Sequence, residues 1–155
     1  MSATDLLERY RQAKLRIVTA ESCTGGMVAA RLTDVAGASD VVERGFVTYS
    51  NEAKTEMLGV PTALLQQYGA VSAQVARAMA EGALGHGRAD VAIAITGIAG
   101  PGGATPGKPV GLVYLALARR GTETRVERQH FAGDRQAVRE AATVRALELL
   151  DSSLA

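Results

Sequence analysis

Short runs of β-branched and other apolar residues alternate along the chain with segments in which apolar residues recur every three or four positions. The apolar runs predict strands at 15–20, 41–50, 90–96, 110–118 and 123–131. The periodic segments predict helices at 4–14, 27–32, 51–58, 61–67, 73–84 and 134–150. Side chains suited to N-capping begin four of these helices: Thr4, Asn51, Ser72 and Asp134.

The order of these elements predicts the fold class. Alternating strands and helices are typical of a parallel sheet with helices on both faces, and a turn at Arg120–Gly121 predicts one antiparallel hairpin late in the chain. We therefore expect a single domain over residues 1–155, with a three-layer α/β/α arrangement and a mixed, mostly parallel sheet. The segment 97–109 holds five of the 17 glycines and three of the four prolines, and it lies between two strong strands. It is too short to separate domains, so we interpret it as a loop at a functional site.

Composition and charge exclude several classes of protein. Lys and Arg total 17 against 16 Asp and Glu, the formal net charge is +1, and only 4% of residues are aromatic. This balance argues against binding to nucleic acid, which calls for a basic surface or stacking side chains. No apolar run approaches the ~18 residues of a membrane span, and residues 1–5 lack the features of a signal peptide. A cytoplasmic protein without membrane contact is expected.

Residue types that bind metals are sparse. Cys23 is the only cysteine, which excludes an internal disulfide and a cysteine-rich zinc site. His86 and His130 are not spaced with other ligand residues as a metal set would be. We predict neither a metal nor a cofactor.

Three polar segments follow predicted strands, at 21–26, 49–54 and 96–108. Ligands of open α/β sheets bind beyond the carboxyl ends of the strands, so we expect these segments to form the walls of one pocket.

The first segment offers two nucleophiles, Ser22 and Cys23, followed by backbone amides at Thr24, Gly25 and Gly26 that enter a helix. Such amides suit an anion or a developing oxyanion. Spacing alone does not decide between this role and simple helix capping by Ser22 or Thr24. Cys23 fits better as a small buried side chain, because no neighbour in the sequence would lower its pKa.

In the second segment, Tyr49 and Lys54 lie five positions apart, across a strand end and a helix start. A lysine can accept a proton from a serine only if desolvation or a neighbouring cation lowers its pKa from about 10.4. On spacing alone, a solvated lysine on an exposed helix face is the more common arrangement.

The third segment begins like a phosphate-binding loop of nucleoside triphosphatases, with Gly102, Gly107 and Lys108 at the required spacing. Pro109 replaces the Ser or Thr that would bind magnesium, and a strand follows instead of a helix, so this function is excluded. Arg135 and Arg139 lie one helical turn apart and could both face an anion, although a solvated charged face is the more common explanation.

Six strings in order carry a family resemblance. They are Thr19–Gly26, Gly45–Ser50 with Lys54 and 58–60, Gly69–Ser72, Thr96–Gly103, Lys108–Gly111 and Gly133–Arg135. Together they closely resemble the C-terminal domain family of the competence- and damage-inducible protein CinA, over about residues 5–150. The resemblance implies an anticodon-binding-domain-like α/β/α fold and hydrolysis of nicotinamide mononucleotide to nicotinate mononucleotide and ammonia.

The resemblance also implies roles for individual residues. Ser22 would be the nucleophile, with Lys54 and Tyr49 as its proton-handling partners and no metal. The oxyanion would be held by amides of one of two turns, formed by Thr24, Gly25 and Gly26 or by Thr96 and Gly97. The 5′-phosphate of the substrate would lie against Gly100, Gly102, Gly103 and against Arg135 or Arg139.

The chain carries no counterpart of the N-terminal domain frequent in this family, so the stand-alone deamidase form is expected, as a homo-oligomer and specifically a dimer. Two alternatives stay open. One is a non-catalytic module that binds a nucleotide or a partner, and the other is a serine hydrolase of a different amide or ester.

Overall fold

The computed structural model describes residues 2–155 and contains every predicted helix and strand. The helices are α1 (Ala3–Ala13), α2 (Met27–Thr33), α3 (Asn51–Leu58), α4 (Thr62–Tyr68), α5 (Ala73–His86) and α6 (Arg135–Ser152), with a 3-10 turn at Ala38–Asp40. The strands are β1 (Ile17–Glu21), β2 (Val42–Val47), β3 (Val91–Gly97), β4 (Leu112–Arg119) and β5 (Arg125–His130). Within the described residues, no helix is long and apolar enough to cross a membrane.

The five strands form one sheet in the order β2-β1-β3-β4-β5. β1 pairs in parallel with β2 and β3, whereas β3–β4 and β4–β5 are antiparallel. β4 is therefore the only strand that runs against the other four. The predicted mixed, mostly parallel sheet and the late hairpin are confirmed.

Alternating side chains of the strands build two different cores. On β3, Ile93 and Ile95 pack in a cluster with residues of α1, α2 and α6. Ala92 and Ala94, on the other face, pack with residues of α3, α4 and α5. Because the side-chain period of a strand is two, this alternation produces the three layers that were predicted. Alanine on the second face allows a close approach of α5 to the sheet.

Two of the four predicted helix caps are confirmed, since Ser72 caps α5 and Asp134 caps α6. The other two predictions were wrong by one or two positions: Ser2 caps α1 instead of Thr4, and Ser50 caps α3 instead of Asn51. A residue that caps a helix with its side chain typically has an extended backbone, and Ser50 has φ −91° and ψ 165°. The predicted strand over 41–50 is correspondingly shorter, because residues 48–50 lead into α3.

The register of the parallel strands determines where polar residues gather. Glu21, at the end of β1, lies opposite Val47 of β2 and Ile95 of β3. The three segments that follow these strands therefore leave the sheet at the same edge.

Candidate active site

The three polar segments meet in one cavity of about 290 Å³ beyond this edge of the sheet. Nine of the residues singled out from the sequence line it: Ser22, Tyr49, Lys54, Thr96, Gly97, Gly100, Gly102, Gly103 and Arg135. Four others singled out from the sequence are not among its lining residues: Thr24, Gly25, Gly26 and Arg139.

Ser22 and Lys54 are in direct contact although 32 residues separate them in the chain. Lys54 Nζ lies 3.0 Å from Ser22 Oγ, within hydrogen-bonding distance. The ammonium also donates to the backbone carbonyl oxygens of Thr48 at 2.8 Å and Tyr49 at 3.4 Å. The segment between β2 and α3 thus provides the carbonyls that orient the lysine, and the lysine itself belongs to α3.

Lys54 is 1% exposed, which is unusual for a lysine without a carboxylate partner. Burial lowers the pKa of Lys54 from its ordinary value of 10.5 to about 8. Roughly a tenth of the Lys54 side chains are therefore neutral at pH 7 and able to accept a proton. Spacing alone favoured a solvated Lys54 on an exposed helix face, and this prediction is wrong.

Ser22 begins a tight turn between β1 and α2. The turn requires a left-handed backbone at Gly25, with φ +59°, and at Gly26, with φ +110°. Gly26 occupies the N-cap position of α2 without a capping side chain, and neither Ser22 nor Thr24 caps this helix. The capping alternative considered for these two hydroxyls is wrong.

Some backbone amides of this turn donate hydrogen bonds within the protein, and others do not. Gly25 N donates to Ser22 O, and Gly26 N donates to a carboxylate oxygen of Glu21. The amides of Cys23 and Thr24 donate no hydrogen bond to any residue within 2–155. The free donors of the turn thus lie at 23–24, one or two positions earlier than the 24–26 stretch expected from the sequence.

Cys23 also lines the cavity, but its thiol is 5% exposed. Burial raises the pKa of the Cys23 thiol to about 11. The thiol is therefore protonated at neutral pH and is a poor nucleophile compared with a serine activated by a base. The prediction that Cys23 is a small buried side chain is confirmed.

Tyr49 and Arg135 connect two walls of the cavity. Arg135 donates to Tyr49 Oη at 2.8 Å and to the carbonyl oxygen of Gly100 at 2.9 Å. Tyr49 is 60% exposed, and its hydroxyl contacts neither Ser22 nor Lys54. Arg135 makes no ion pair with a carboxylate of the described residues, so its charge is available to a ligand.

The glycine loop that follows β3 forms another wall of the cavity that Ser22 lines. Gly100 has φ +84° and Gly103 has φ +94°, and an added Cβ at Gly100 would lie 2.5 Å from Val110 Cγ1. The amides of Gly100, Gly102 and Gly103 donate no hydrogen bond within residues 2–155. At the base of the loop, Thr96 Oγ1 donates to Ala70 O at 2.9 Å and fixes a further wall of the cavity.

Arg139 of α6 contacts the turn between β1 and α2. Its Nε lies 3.0 Å from Cys23 O, and one terminal nitrogen lies 3.3 Å from Thr24 O. Its guanidinium is thus engaged by backbone carbonyls, one helical turn away from Arg135.

Glu21 is the residue of this region that the sequence reasoning missed. Its carboxylate is completely buried and accepts hydrogen bonds from the turn that follows it. An ionisable residue that ends an otherwise apolar strand was a usable signal, because such residues are seldom buried without a specific set of partners.

The fold and the cavity together define a three-layer α/β domain with a serine–lysine pair at the carboxyl ends of its parallel strands. The chain belongs to the CinA C-terminal domain family, whose family model matches residues 1–154. The resemblance inferred from the six strings is confirmed.

The sequence identities to individual relatives support membership of this family. A CinA-like protein of Akkermansia muciniphila is 59% identical over 142 residues, which cover 91% of this chain and 34% of that protein. The nicotinamide-nucleotide amidohydrolase PncC of Escherichia coli is 55% identical over 134 residues, which cover 86% of this chain and 81% of that protein. The chain thus spans about a third of the length of several CinA-like relatives and most of the E. coli protein.

Solved structures confirm the fold class. A competence/damage-inducible protein from Agrobacterium tumefaciens superposes with a TM-score of 0.95 at 48% identity, covering 98% of this chain and 92% of that one. A CinA superfamily protein from Klebsiella pneumoniae superposes with a TM-score of 0.94 at 38% identity, covering 98% and 94%.

Proposed function

We propose that this protein hydrolyses the carboxamide of nicotinamide mononucleotide, giving nicotinate mononucleotide and ammonia. The similarity to the E. coli amidohydrolase over most of both chains supports this substrate. The observation that carries the proposal is the contact between Ser22 Oγ and the buried Lys54 Nζ. It supplies a nucleophile and a base within the distance that proton transfer requires.

The surroundings of Lys54 suit a base. With the amine neutral, two N–H groups donate to the carbonyls of Thr48 and Tyr49, and the lone pair is left for the Ser22 hydroxyl proton. Ser22 Oγ then attacks the carboxamide carbon, and the hydroxyl proton moves to Lys54 Nζ. The C–N bond breaks, the amide nitrogen takes this proton, and ammonia leaves. Water attacks the resulting ester, which releases the carboxylate and restores Ser22.

The oxyanion that forms during both steps needs hydrogen-bond donors. The unpaired amides closest to the nucleophile in the chain are those of Cys23 and Thr24. Of these two residues only Cys23 lines the cavity, so we assign the oxyanion to the Cys23 amide, ahead of the amides at Thr96 and Gly97.

The phosphate of the substrate is assigned to the glycine loop and Arg135. The first turn of α2 already holds an anion, the Glu21 carboxylate, so it has no free amide for a phosphate. The loop, in contrast, has unpaired amides at Gly100, Gly102 and Gly103, and Arg135 lines the same cavity. Amides of this kind together with a guanidinium suit a phosphate. Tyr49 accepts a hydrogen bond from Arg135. In this arrangement Tyr49 lies between the group that binds the phosphate and the pair of Ser22 and Lys54.

The direct test is ammonia release from nicotinamide mononucleotide, measured beside nicotinamide, NAD and glutamine. We expect release from the mononucleotide and a loss of at least ~1,000-fold in turnover for Ser22→Ala, because the nucleophile is removed. Cys23→Ser is the matched control, and it should retain most of the activity because the buried thiol takes no part.

Other outcomes distinguish the alternatives. Ammonia from a different amide, again lost in Ser22→Ala, would indicate a serine hydrolase with another substrate. Binding of the mononucleotide without ammonia release, unaffected by Ser22→Ala, would indicate a non-catalytic module.

A further inference from the structure

Glu21 stands directly before the proposed nucleophile and is 0% exposed. Its carboxylate takes no part in the proposed reaction steps. A buried carboxylate is unfavourable unless donors satisfy it, so its position calls for a specific explanation.

Both carboxylate oxygens are occupied by the segment that follows. Oε1 accepts from Thr24 Oγ1 at 2.6 Å, from Gly26 N at 3.2 Å and from Val28 N at 3.0 Å. Oε2 accepts from Ala29 N at 3.0 Å. These bonds run from the turn into the first residues of α2, where Gly26 has no side chain to cap the helix.

The same turn is held by two further contacts. Ser22 N donates to Ile95 O at 2.9 Å, which fixes its start to β3. Arg139 of α6 donates to the carbonyls of Cys23 and Thr24. The start of the turn, two of its carbonyls and the amides of Gly25 and Gly26 are thus engaged, while the amides of residues 23 and 24 donate to no other residue.

Glu21 is unsuited to proton transfer itself. Four donors already occupy its oxygens, and it makes no ion pair with Lys54 within the described residues. Its contribution to the reaction must therefore be made through the turn.

We propose that Glu21 is a positioning residue, whose buried carboxylate holds the 22–26 turn so that Ser22 Oγ lies against Lys54 Nζ and the amides of Cys23 and Thr24 stay unpaired. Without this acceptor, four donors would turn to other partners, and Ser22 would leave its 3.0 Å contact with Lys54. A misplacement of ~1 Å at a reacting group costs roughly 100-fold in rate. This role rests on the proposed function, in which Ser22 is the nucleophile.

The test uses Glu21→Gln, which keeps the length of the side chain but offers one acceptor oxygen instead of two. A fluorophosphonate, which reacts with activated serines, is added to the whole protein, and labelling of Ser22 is followed by mass spectrometry. We expect the labelling rate constant to fall about 30- to 100-fold while the end point still reaches full labelling. With nicotinamide mononucleotide, kcat should fall similarly and KM should change by less than about twofold, because the phosphate end is unaffected.

Two further variants make the result decisive. Glu43→Gln is the matched control, because Glu43 also accepts a backbone amide, from Arg88 at 3.0 Å, but lies near the start of β2, away from the cavity. It should label at the wild-type rate. If Glu21→Gln does not fold, Thr24→Val removes only the 2.6 Å donor and should slow labelling by about 3- to 10-fold.

Each other outcome overturns the role. Wild-type rates in Glu21→Gln and Thr24→Val would show that the carboxylate does not position Ser22. A reduced end point at an unchanged rate would show a purely structural role, since only the folded fraction reacts. An unlabelled Ser22 in the wild-type protein would remove the nucleophile assignment, and the positioning role with it, whereas failure of the ammonia assay alone would leave the labelling result standing.

Discussion

Lys54 combines complete burial with three hydrogen bonds and no carboxylate partner. An ammonium in this environment loses hydration that two carbonyls and a hydroxyl replace only in part. The pKa of Lys54 is lowered as a result, which increases the share of the neutral amine that the proposed reaction needs.

Lys54→Arg is expected to be almost as inactive as Lys54→Ala. A guanidinium binds phosphate well, so arginine would substitute if the residue only balanced the charge of the substrate. It does not give up a proton near neutral pH, since the pKa of arginine lies above ~12. Turnover of both variants at saturating substrate, with binding measured by calorimetry, checks this. Substantial turnover in Lys54→Arg would assign Lys54 to substrate binding instead of proton transfer.

The pH dependence of kcat/KM follows from the same residue. The pKa of Lys54 is lowered to about 8 by burial, and only the unprotonated amine can accept the Ser22 proton. We expect kcat/KM to rise about tenfold per pH unit below about 7 and to level off above about 9. Initial rates from pH 6 to 9.5 at low substrate concentration measure this, and a profile that is flat over that range would contradict the assignment.

At the scale of the elements, the position of Lys54 depends on how closely α3 packs against α5. A Cβ added at Gly82 of α5 would lie 2.0 Å from Leu58 O, at the end of α3. Lys54 lies one helical turn before Leu58 on the same helix. The absence of a side chain at Gly82 therefore determines how closely α3, and Lys54 with it, can approach α5.

Gly82→Ala is expected to lower the free energy of unfolding by about 1–3 kcal/mol, because α3 must move away from α5. It should also reduce kcat, since Lys54 moves with α3. Gly85→Ala is the matched control on the same helix, where an added Cβ meets nothing within 4 Å. That variant should gain about 0.5 kcal/mol from helix propensity and keep full activity. Urea unfolding and steady-state rates of Gly82→Ala and Gly85→Ala test this prediction. Equal stabilities of the two variants would show that the close approach of α3 to α5 is unimportant.

At the scale of the whole molecule, the buried lysine couples the stability of the protein to pH. The pKa of Lys54 is about 8 in the folded protein and 10.5 when exposed. Between these values the unfolded chain binds more protons than the folded one, so the contribution of Lys54 to stability rises with pH. The difference in pKa corresponds to about 3 kcal/mol.

The free energy of unfolding of the wild-type protein, minus that of Lys54→Met, is therefore expected to be constant below about pH 7 and to rise by about 3 kcal/mol between pH 8 and 10.5. The comparison removes the titration of groups that do not interact with Lys54, Tyr10 included. Urea unfolding at a series of pH values measures the difference. A difference that does not vary with pH would mean that Lys54 titrates normally in the folded protein.

Activity is also expected to survive prolonged treatment with a chelator. The proposed reaction uses a serine, a lysine and backbone amides, and residues 2–155 contain no group of three His, Cys, Asp or Glu side chains suited to a metal ion. Ammonia release after dialysis against EDTA checks this. Loss of activity that zinc or magnesium restores would show that the reaction depends on a metal. The predicted dimer stays a prediction, for which light scattering on the purified protein is the measurement.

Much of the fold was determined by local patterns in the sequence. The alternation of Ile and Ala along β3 separates the two helical layers, because successive side chains of a strand point to opposite faces. The glycines of the 21–26 segment predicted a turn between β1 and α2, and two of them adopt left-handed conformations. The six strings were sufficient to identify the family, since each combines residue types at fixed spacing.

Only the tertiary structure decided what Lys54, Glu21 and Arg139 do. Spacing favoured a solvated Lys54, and burial against Ser22 results from the packing of α3 against α5 and from strand ends that meet at one edge of the sheet. Glu21 stands out in the sequence only as a charged residue at a strand end, and its four donors become neighbours only when the turn folds back onto the carboxylate. Arg135 and Arg139 look equivalent on one helix, yet one lines the cavity and the other holds the carbonyls of the turn. Local periodicity specifies elements and their buried faces, whereas burial, pKa and the partners of a polar group depend on residues far apart in the chain.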